Sequence, residues 1–417
     1  MLEFLITVVK LLVILGVVAT IHEFGHFLFS KLFKVGVNEF SVGFGPKIVQ
    51  KKYKETMYSL RWIPLGGYCA IEGEEGVSTK ENSLTNKNLI QKILIFVMGA
   101  GFNAILAFII FFSLSFANDT ATTKITEFYE DSVLQQAGLQ VGDEIYKING
   151  TRVKTLSEIL TYKADENDLN GIEIEYIRDG KKNKVRVNNA VKQVGYIGAS
   201  FKTDGQIYEN KIEMVASGGA AFEAGLKAGD KIIKVGEIDT PTSIDVVSEI
   251  QKSPNQEIEI TIQRDEETLT KNIKPGLRNN FDLQIVATEV VKTNIYYAFV
   301  NTFDNFKSIV GSYADLFTGK VGIKDMSGIV GIGELVSKSN GFLEFINLMA
   351  IISLAVGVAN ILPFPPLDGG KIVIAIGEAI TKKKMSEKAE LIISYIGFGL
   401  LIALTIIVTY RDIIRII

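Results

Sequence analysis

Four long apolar stretches divide this 417-residue chain into polar and apolar segments. A helix needs about 20 mainly apolar residues to cross the hydrocarbon core of a bilayer. The four stretches are Phe4 to Ile21, Ile93 to Ala117, Phe345 to Leu362 and Leu391 to Thr409. Lys10 interrupts the first stretch, and the other three contain no charged residue. The pattern predicts a polytopic α-helical membrane protein with four transmembrane helices, in which a short apolar run, Ile372 to Ile380, continues the third helix beyond a break.

The segment between the second and third stretches is polar and contains an internal repeat. Ala137 to Lys147 recurs as Ala224 to Lys234, an offset of 87 residues. After each copy come a turn, a helical pattern and alternating strands, such as Ile172 to Tyr176 and Ile258 to Ile262. The shared pattern AGLxxGDxI with this order of elements resembles bacterial PDZ domains, which are α+β domains whose sheet edge accepts extended peptides. The alternative is a generic small β-rich domain.

The loop between the first two stretches is expected to contain β-structure. Val37 to Pro46 and Tyr58 to Tyr68 have strand patterns bounded by Gly and Pro turns. Phe44 and Trp62, like Tyr68 itself, are side chains typical of a membrane interface. The sequence therefore predicts a β-loop that returns towards the membrane face.

Several lysine and arginine residues lie in the two short loops between the predicted spans. They are Lys31, Lys34, Lys47, Lys51, Lys52, Lys54, Arg61, Lys80, Lys87 and Lys92 in the first loop, and Lys382, Lys383, Lys384 and Lys388 in the third. Short loops with such a bias are typically cytoplasmic. The β-loop is thus predicted on the cytoplasmic side, and both chain termini and the repeat-containing segment are predicted on the far side.

The composition fits a membrane protein and excludes other classes. Hydrophobic residues make up 47% of the chain, its mean hydropathy is +0.25, and the first stretch lacks the basic flank and cleavage site of a signal peptide. A net charge of −3 without a basic block excludes a nucleic-acid partner. Cys69 is the only cysteine, so one chain forms neither a disulfide nor a Cys-based zinc site, and we interpret it as a packing residue.

The end of the first apolar stretch contains the motif His22-Glu23-Phe24-Gly25-His26. Two histidines four apart project from one face of a helix and can bind one zinc ion, while Glu23 can reach a water molecule at that metal. Zinc lowers the pKa of water from about 15.7 to about 7, and a neighbouring carboxylate can take its proton during attack on a peptide carbonyl. The only two histidines of the chain are both in this motif. Packing them with Glu23 in lipid without a metal would be costly. The motif therefore predicts zinc-dependent peptide hydrolysis, with Glu23 catalytic and His22 and His26 as ligands.

A catalytic zinc needs a third protein ligand, and with no other histidine we expect an acid from another span. Asp368 is the candidate, in the stretch Asn360 to Gly370, where three prolines and two glycines end or unwind the third helix. The alternative is that Asp368 caps the short helix that begins at Gly369.

These motifs together resemble the site-2 protease family of intramembrane zinc metalloproteases, in particular its bacterial RseP-like regulators of sigma-E. The resemblance covers the whole chain in order: HEFGH, a tandem PDZ insertion, and NILPFPPLDGG. It implies zinc held by His22, His26 and Asp368, with Glu23 as the base. Asn360 is implied to hold the substrate strand or its carbonyl. Two stretches depart from the family: Gly99 to Asn103 lacks the proline of a GPxxN motif, and Met326 to Ile332 has isoleucine for the proline of SGPxGI.

The resemblance also implies partners and a location. The expected substrate is a single-span membrane protein, an anti-sigma factor or a remnant signal peptide, that an upstream site-1-type protease has already shortened. The expected location is the bacterial inner membrane. A helical substrate must unwind before cleavage, and our hypothesis is that the β-loop around Gly66 and Gly67 pairs with it. Asn103 is a further candidate for substrate contact.

The expected domains follow from these elements. They are transmembrane helix 1 with HExxH (1–34), the membrane-associated β-loop (35–88), transmembrane helix 2 (89–117), PDZ-like domain 1 (118–200), PDZ-like domain 2 (201–285), an amphipathic linker (286–341) with a helix near Asn294 to Leu316, transmembrane helix 3 with NxxPxPxLDG (342–380) and transmembrane helix 4 (385–417). Two other functions remain to be weighed: a non-enzymatic scaffold with a vestigial zinc site, and a metal transporter whose intramembrane His and Asp line a pathway.

Overall fold

The computed structural model describes residues 2–74, 78, 80–130, 132–204, 207–216, 218–282, 285–318, 328–339 and 341–416. These residues form two compact units. The first holds 2–117, 301–318 and 328–414, and the second holds 118–300. Met326 and Ser327, which open the SGPxGI-like stretch, lie outside the described residues, as does part of the expected linker.

The described helices and strands are numbered along the chain. The helices are α1 (Leu2–Leu32), α2 (Leu89–Ser115), α3 (Val133–Gln136), α4 (Leu156–Leu160), α5 (Ala220–Glu223), α6 (Ser243–Gln251), α7 (Ile295–Phe317), α8 (Ile329–Lys338), α9 (Phe342–Asn360), α10 (Asp368–Thr381) and α11 (Glu387–Ile416). The strands are β1 (Val37–Tyr53), β2 (Thr56–Ile71), β3 (Asp119–Phe128), β4 (Glu144–Ile148), β5 (Thr151–Arg152), β6 (Ile172–Arg178), β7 (Lys181–Val187), β8 (Val191–Tyr196), β9 (Ala199–Asp204), β10 (Ile207–Val215), β11 (Lys231–Val235), β12 (Ile238–Asp239), β13 (Ile258–Arg264), β14 (Glu267–Ile273), β15 (Gly276–Phe281) and β16 (Ile285–Lys292).

The prediction of four apolar helices of membrane-spanning length is confirmed among the described residues. They are α1, α2, α9 and α11. The run expected to continue the third span forms α10, a separate helix after a break. Ile14 and Val18 of α1 pack against Met349 of α9, and Phe111 of α2 packs against Leu354. These contacts join α1, α2 and α9 into one bundle.

α8 is held at both ends by side chains from helices of membrane-spanning length. Asp412 of α11 accepts hydrogen bonds from the backbone N–H groups of Gly328 and Gly331, each at 2.8 Å. Lys10 of α1 donates to the carbonyl oxygen of Ser339 at 2.6 Å. An acid at the N-terminus and a cation at the C-terminus both complement the helix dipole. Lys10, the one charge within the first apolar stretch, thus has a structural partner.

β1 and β2 form the predicted β-loop, and both strands are longer than their sequence patterns. β2 curls, so that Phe40 of β1 lies opposite both Tyr58 and Cys69. The end of β2 lies at an edge of this sheet, because in the described part of the chain its residues 67–71 pair on one side only, with 37–42 of β1. Cys69 is buried in a hydrophobic cluster there, as a packing residue should be, and burial raises the pKa of its thiol.

The repeat in the sequence is also a repeat in structure within the second unit. The two sheets have the strand orders β16-β3-β4-β6-β7 and β9-β10-β11-β13-β14. The short strands β5 and β12 pair with β4 and β11 in the same way. Each sheet has its own hydrophobic core, centred on Ile145 and Ile174 in the first module and on Ile232 and Ile260 in the second.

The strand that closes the first module comes from the far end of the second unit. β16 pairs with β3, with Lys292 opposite Asp119 and Ile285 opposite Phe128. The expected domain boundary after residue 285 assigned this strand to the linker, whereas the structure places it in the first module's sheet. Consequently the second module is inserted between β7 and β16 of the first.

The GD motif of each repeat places a buried aspartate beside an arginine. Arg178 donates to Asp143 at 2.7 Å from both Nε and Nη2, and Arg264 makes the same paired contact with Asp230 at 2.7 and 2.8 Å. Both aspartates are 1% exposed. Each also accepts a backbone N–H three residues earlier at 2.8 Å. These buried carboxylates are therefore fully bonded, and their role is structural.

Candidate metal centre

Three side chains from two helices of the first unit meet in a small triangle. His22 and His26 lie one turn apart on α1, and Asp368 is the first residue of α10. The Nε2 atoms of the two histidines are 3.1 Å apart. Oδ2 of Asp368 lies 3.0 Å from Nε2 of His22 and 3.2 Å from Nε2 of His26. All three residues are buried, with no more than 8% exposure. The structure thus brings together the three predicted ligands.

The triangle fits a zinc ion. Tetrahedral zinc with donors at about 2.05 Å would hold them about 3.4 Å apart, close to the three edges described above. Oδ2 of Asp368 is buried and accepts no hydrogen bond from the described residues, although two imidazole nitrogens face it. Such a convergence of buried lone pairs is costly unless a cation binds them. Two histidines and one carboxylate are also a donor set of catalytic zinc sites.

Backbone and side-chain contacts from α2 orient both imidazoles. Nδ1–H of His26 donates to the carbonyl oxygen of Ile95 at 2.8 Å, which leaves Nε2 unprotonated for a metal. Asn103 is fully buried, and its amide lies 3.5 Å from Nδ1 of His22. Oδ1 of Asn103 has no hydrogen-bond partner among the described residues. An amide turned by 180° would accept Nδ1–H of His22 and leave its Nε2 free in the same way. Asn103 therefore faces a proposed ligand rather than an open surface.

Two glycines allow α2 to approach the histidines. A Cβ on Gly25 of α1 would lie 2.0 Å from the carbonyl oxygen of Met98. A Cβ on Gly99 of α2 would lie 2.3 Å from Nε2 of His26 and 2.8 Å from Cε1 of His22. Small residues permit such close helix crossings in membranes. The sequence did not predict that Gly99 lies against the histidines. It showed Gly99 only as the first residue of a GPxxN-like stretch.

The LDGG stretch brings Asp368 to the histidines. A Cβ on Gly369 would lie 2.1 Å from the carbonyl oxygen of Ile361, and one on Gly370 would lie 2.3 Å from the nitrogen of Pro365. The first turn of α10 can therefore fold back closely on the chain that leaves α9. The N-cap of α10 is Leu367, without a side-chain cap hydrogen bond. Asp368 is thus not the helix cap that the alternative interpretation required.

Glu23 shares a cavity with the edge of β2. It is half-buried beside His22 on α1 and lines a cavity of about 880 Å³. The same cavity is lined by Tyr68, Cys69, Ala70 and Ile71, the last residues of β2. A carboxylate next to the metal triangle and a strand edge next to that carboxylate are the parts needed to hold and hydrolyse an extended peptide.

Gly66 and Gly67, which were predicted to contact substrate, have a packing role in the β-loop. Gly66 and Gly67 are buried, and a Cβ on them would lie 2.7 Å from the Phe44 ring and 2.4 Å from the carbonyl oxygen of Ser41, respectively. The two glycines therefore let β2 pack closely on β1. Asn360 is the half-buried last residue of α9.

Comparison with known families identifies one match that spans nearly the whole chain. The profile of peptidase family M50 matches residues 10–404. The matched region includes both histidines, Glu23 and Asp368.

Comparison with curated proteins gives relatives of similar length. The regulator of sigma-W protease RasP of Bacillus subtilis is 25% identical over 443 residues, covering 99% of each chain. The zinc metalloprotease RasP of Bacillus licheniformis is 26% identical, covering 98% of this chain and 99% of its own. A relative from Borreliella burgdorferi is 30% identical over 416 residues, covering 94% of each chain.

Comparison with solved structures gives a match to part of the chain. The HtrA-type protease AlgW with decapeptide has a TM-score of 0.21 and 16% identity, covering 26% of this chain and 42% of its own. A likeness of this size carries no argument about fold or function.

Proposed function

The chain belongs to peptidase family M50, the site-2 protease family, and is a zinc metalloprotease of the membrane; from that premise we propose that it cleaves single-span membrane proteins within or near their transmembrane segment. The observation that carries the proposal is the buried triangle of His22, His26 and Asp368 next to Glu23, in which both histidines and Glu23 lie on α1, a helix of membrane-spanning length. A scaffold or a transporter would need neither that acid nor the strand edge beside it.

We assign His22, His26 and Asp368 as the zinc ligands and Glu23 as the general base. Zinc held there supplies Lewis-acid activation of water and of the scissile carbonyl. Glu23 takes the proton that the attacking water releases and can pass it to the leaving amine nitrogen. The carbonyl oxygen of Ile95 holds His26 in the tautomer that a metal requires, and Asn103 with its amide turned by 180° would do the same for His22.

We propose that the end of β2 binds the substrate in an extended conformation. A peptide bond in a helix is shielded by its own hydrogen bonds, so the substrate must be extended where it meets Glu23. The edge at 68–71 lies on the same cavity as Glu23 and can pair with such a strand. Gly66 and Gly67 set how closely this strand packs on β1, and Asn360, at the end of α9, is assigned to freed backbone groups of the substrate.

The two modules of the second unit are proposed to be PDZ-like domains that select substrates. Their equivalent sheets and repeated GD motifs support this assignment. They would either limit access by size or bind a newly exposed C-terminus. We propose module limits of 118–190 with 282–292 for the first and 195–275 for the second, in place of the sequence boundaries at 200 and 285.

The biological substrate is proposed to be an anti-sigma factor or a remnant signal peptide. The Bacillus subtilis relative is named a regulator of sigma-W protease. An upstream site-1-type protease would first remove the far-side domain of the substrate. We place the protein in the bacterial inner membrane, with the lysine-rich loops and the metal triangle towards the cytoplasm and both modules on the far side.

The test is cleavage of a tagged single-span substrate by purified protein, with zinc content measured on the same samples. Wild type should cleave and hold one zinc, and Glu23→Gln should hold zinc but lose at least about 100-fold in rate. Glu3→Gln, which neutralises an acid at the start of the same helix, is the matched control and should behave like wild type. Equal cleavage by wild type and Glu23→Gln would overturn the assignment.

A further inference from the structure

A lysine stands beside the proposed zinc ligand Asp368, in a position that a helix does not favour for a cation. Lys371 is in the first turn of α10, where the helix dipole is positive. Its Nζ lies 5.6 Å above the ring of the buried Phe96 and 2.6 Å from Oε1 of Glu74. The third neighbour is Oδ1 of Asp368, at 4.0 Å. The site therefore places an ammonium group against the proposed ligand.

The two oxygens of Asp368 face different groups. Oδ2 faces the two imidazoles, whereas Oδ1 faces Lys371. A distance of 4.0 Å is too long for a direct hydrogen bond, so the attraction is electrostatic. An ammonium group on the Oδ1 side favours the carboxylate orientation in which only Oδ2 is presented to a metal. Residues that contact a metal-binding side chain without binding the metal themselves commonly orient it in this way.

Glu74 connects Lys371 to the substrate side of the cavity. It lies three residues beyond the end of β2 and lines the same cavity as Glu23 and the last residues of that strand. Its carboxylate is 19% exposed, and the lysine side chain is 33% exposed. A short ion pair of this kind holds the long lysine side chain in one direction and ties the end of β2 to α10.

We propose that Lys371 is a positioning residue for the zinc ligand Asp368, and that Glu74 acts through Lys371 by fixing its ammonium group. The inference rests on the proposed zinc site and deepens it. It goes beyond the HExxH and LDG motifs, because neither motif includes Lys371 or Glu74.

The experiment measures how fast zinc leaves the full-length protein when an excess of a colorimetric chelator is added. Lys371→Met should release zinc about 10- to 100-fold faster than wild type, the usual cost of losing a group behind a ligand. Lys371→Arg should restore slow release, because it restores the charge. Glu74→Gln should accelerate release, and it should add nothing in a Lys371→Met background.

The matched control is the ion pair between Glu72 and Lys80, which is 2.7 Å long and lies in the same loop. Glu72→Gln and Lys80→Met remove a similar pair without touching Asp368, so zinc release should stay at the wild-type rate. With cobalt in place of zinc, the visible absorption should change in Lys371→Met and not in Lys80→Met. If Lys371 only stabilised the fold, its replacement would not change the absorption of the bound cobalt.

Three results would overturn the inference: wild-type release from Lys371→Met, equally fast release from Lys80→Met, or additive effects of Lys371→Met and Glu74→Gln. If Lys371→Met fails to fold, the faster release of Glu74→Gln relative to Glu72→Gln carries the test. Zinc binding by His22→Ala at the wild-type level would instead overturn the zinc site itself. The two failures are therefore distinguishable.

Discussion

Buried aspartates in the two units of this protein have opposite surroundings. Asp143 and Asp230 in the repeated modules each receive two hydrogen bonds from an arginine and one from a backbone N–H. Asp368 in the membrane unit is also buried, but its Oδ2 faces two imidazole nitrogens and accepts no hydrogen bond from the described residues. The comparison shows that burial alone does not mark a functional acid. What sets the proposed ligand Asp368 apart is a buried oxygen whose neighbours are two imidazole nitrogens.

The largest expected effect comes from Asp368→Asn. The amide keeps the size of the carboxylate but removes its charge, so zinc affinity should fall by more than about 100-fold. This loss exceeds the one expected when a residue that only supports a metal ligand is replaced. Cleavage should become undetectable. Asp143→Asn is the counterpart in the other unit and should leave zinc content unchanged. Loss of zinc from both variants, measured by elemental analysis, would remove the distinction between the two kinds of aspartate.

A second large effect is expected from Gly99→Ala. The added Cβ would lie 2.3 Å from Nε2 of His26, so one of the two helices must move away. We expect zinc affinity to fall at least about 10-fold. Gly101→Ala, two residues along the same helix, meets only the flexible side chain of Met98 at 3.1 Å and should bind zinc normally. Equal zinc affinities for the two variants, from chelator competition, would show that α2 does not shape the triangle.

A stability effect without loss of zinc is expected from Asp143→Ala. The change removes the carboxylate that accepts two hydrogen bonds from the guanidinium of Arg178, which is 30% exposed, and one from a backbone N–H. The cost should be about 3 kcal/mol in the free energy of unfolding of the first module. Hydrogen exchange of peptides from β4 and β6 measures this locally in the full-length protein. Asp230→Ala should give the same cost in the second module and leave those peptides protected.

The smallest effect is expected for Glu72, an acid that is less buried than the three aspartates compared above. Lys80, Ser78 and Asn38 hydrogen-bond the half-buried Glu72 and lower its pKa to about 2. A carboxyl group with a lowered folded pKa contributes stability above its unfolded pKa of about 4.3, and this stability is lost as the pH falls towards 2. Lys80→Met should therefore raise the pKa of Glu72. Carboxyl NMR titration would detect this, with Glu72→Gln identifying the signal, and an unchanged pKa would contradict the assignment.

The convergence of the three side chains of the metal triangle was largely predictable from the sequence. His22 and His26 share a helix face by local geometry, and Asp368 is the acid in the stretch where the third predicted transmembrane helix ends. The apolar stretches likewise predicted four helices from their length alone. The contacts that orient the two histidines were not predictable. The contacts of Ile95 with His26 and of Asn103 with His22 depend on how α1 and α2 cross.

Long-range pairing was the other limit of the sequence. β16 has an ordinary strand pattern, and nothing near residue 285 indicates that its partner begins at Asp119. For the same reason the capping of α8 by Asp412 and Lys10 could not be foreseen. The glycine pair Gly66 and Gly67 shows the opposite case, in which a local motif suggested a substrate contact and the structure supplies a packing reason.

The pairing of β3 with β16 has a consequence for how such a protein could evolve. Asp119 and Lys292 lie opposite each other, and Thr293 donates a hydrogen bond to the carbonyl oxygen of Asn118 at 2.6 Å. The two ends of a segment of more than 170 residues are therefore neighbours. Such a segment behaves as a cassette: it can be gained, lost or exchanged as one piece, with only a short turn to rejoin the chain. The two modules, which we propose select substrates, could then diverge in evolution independently of the metal site.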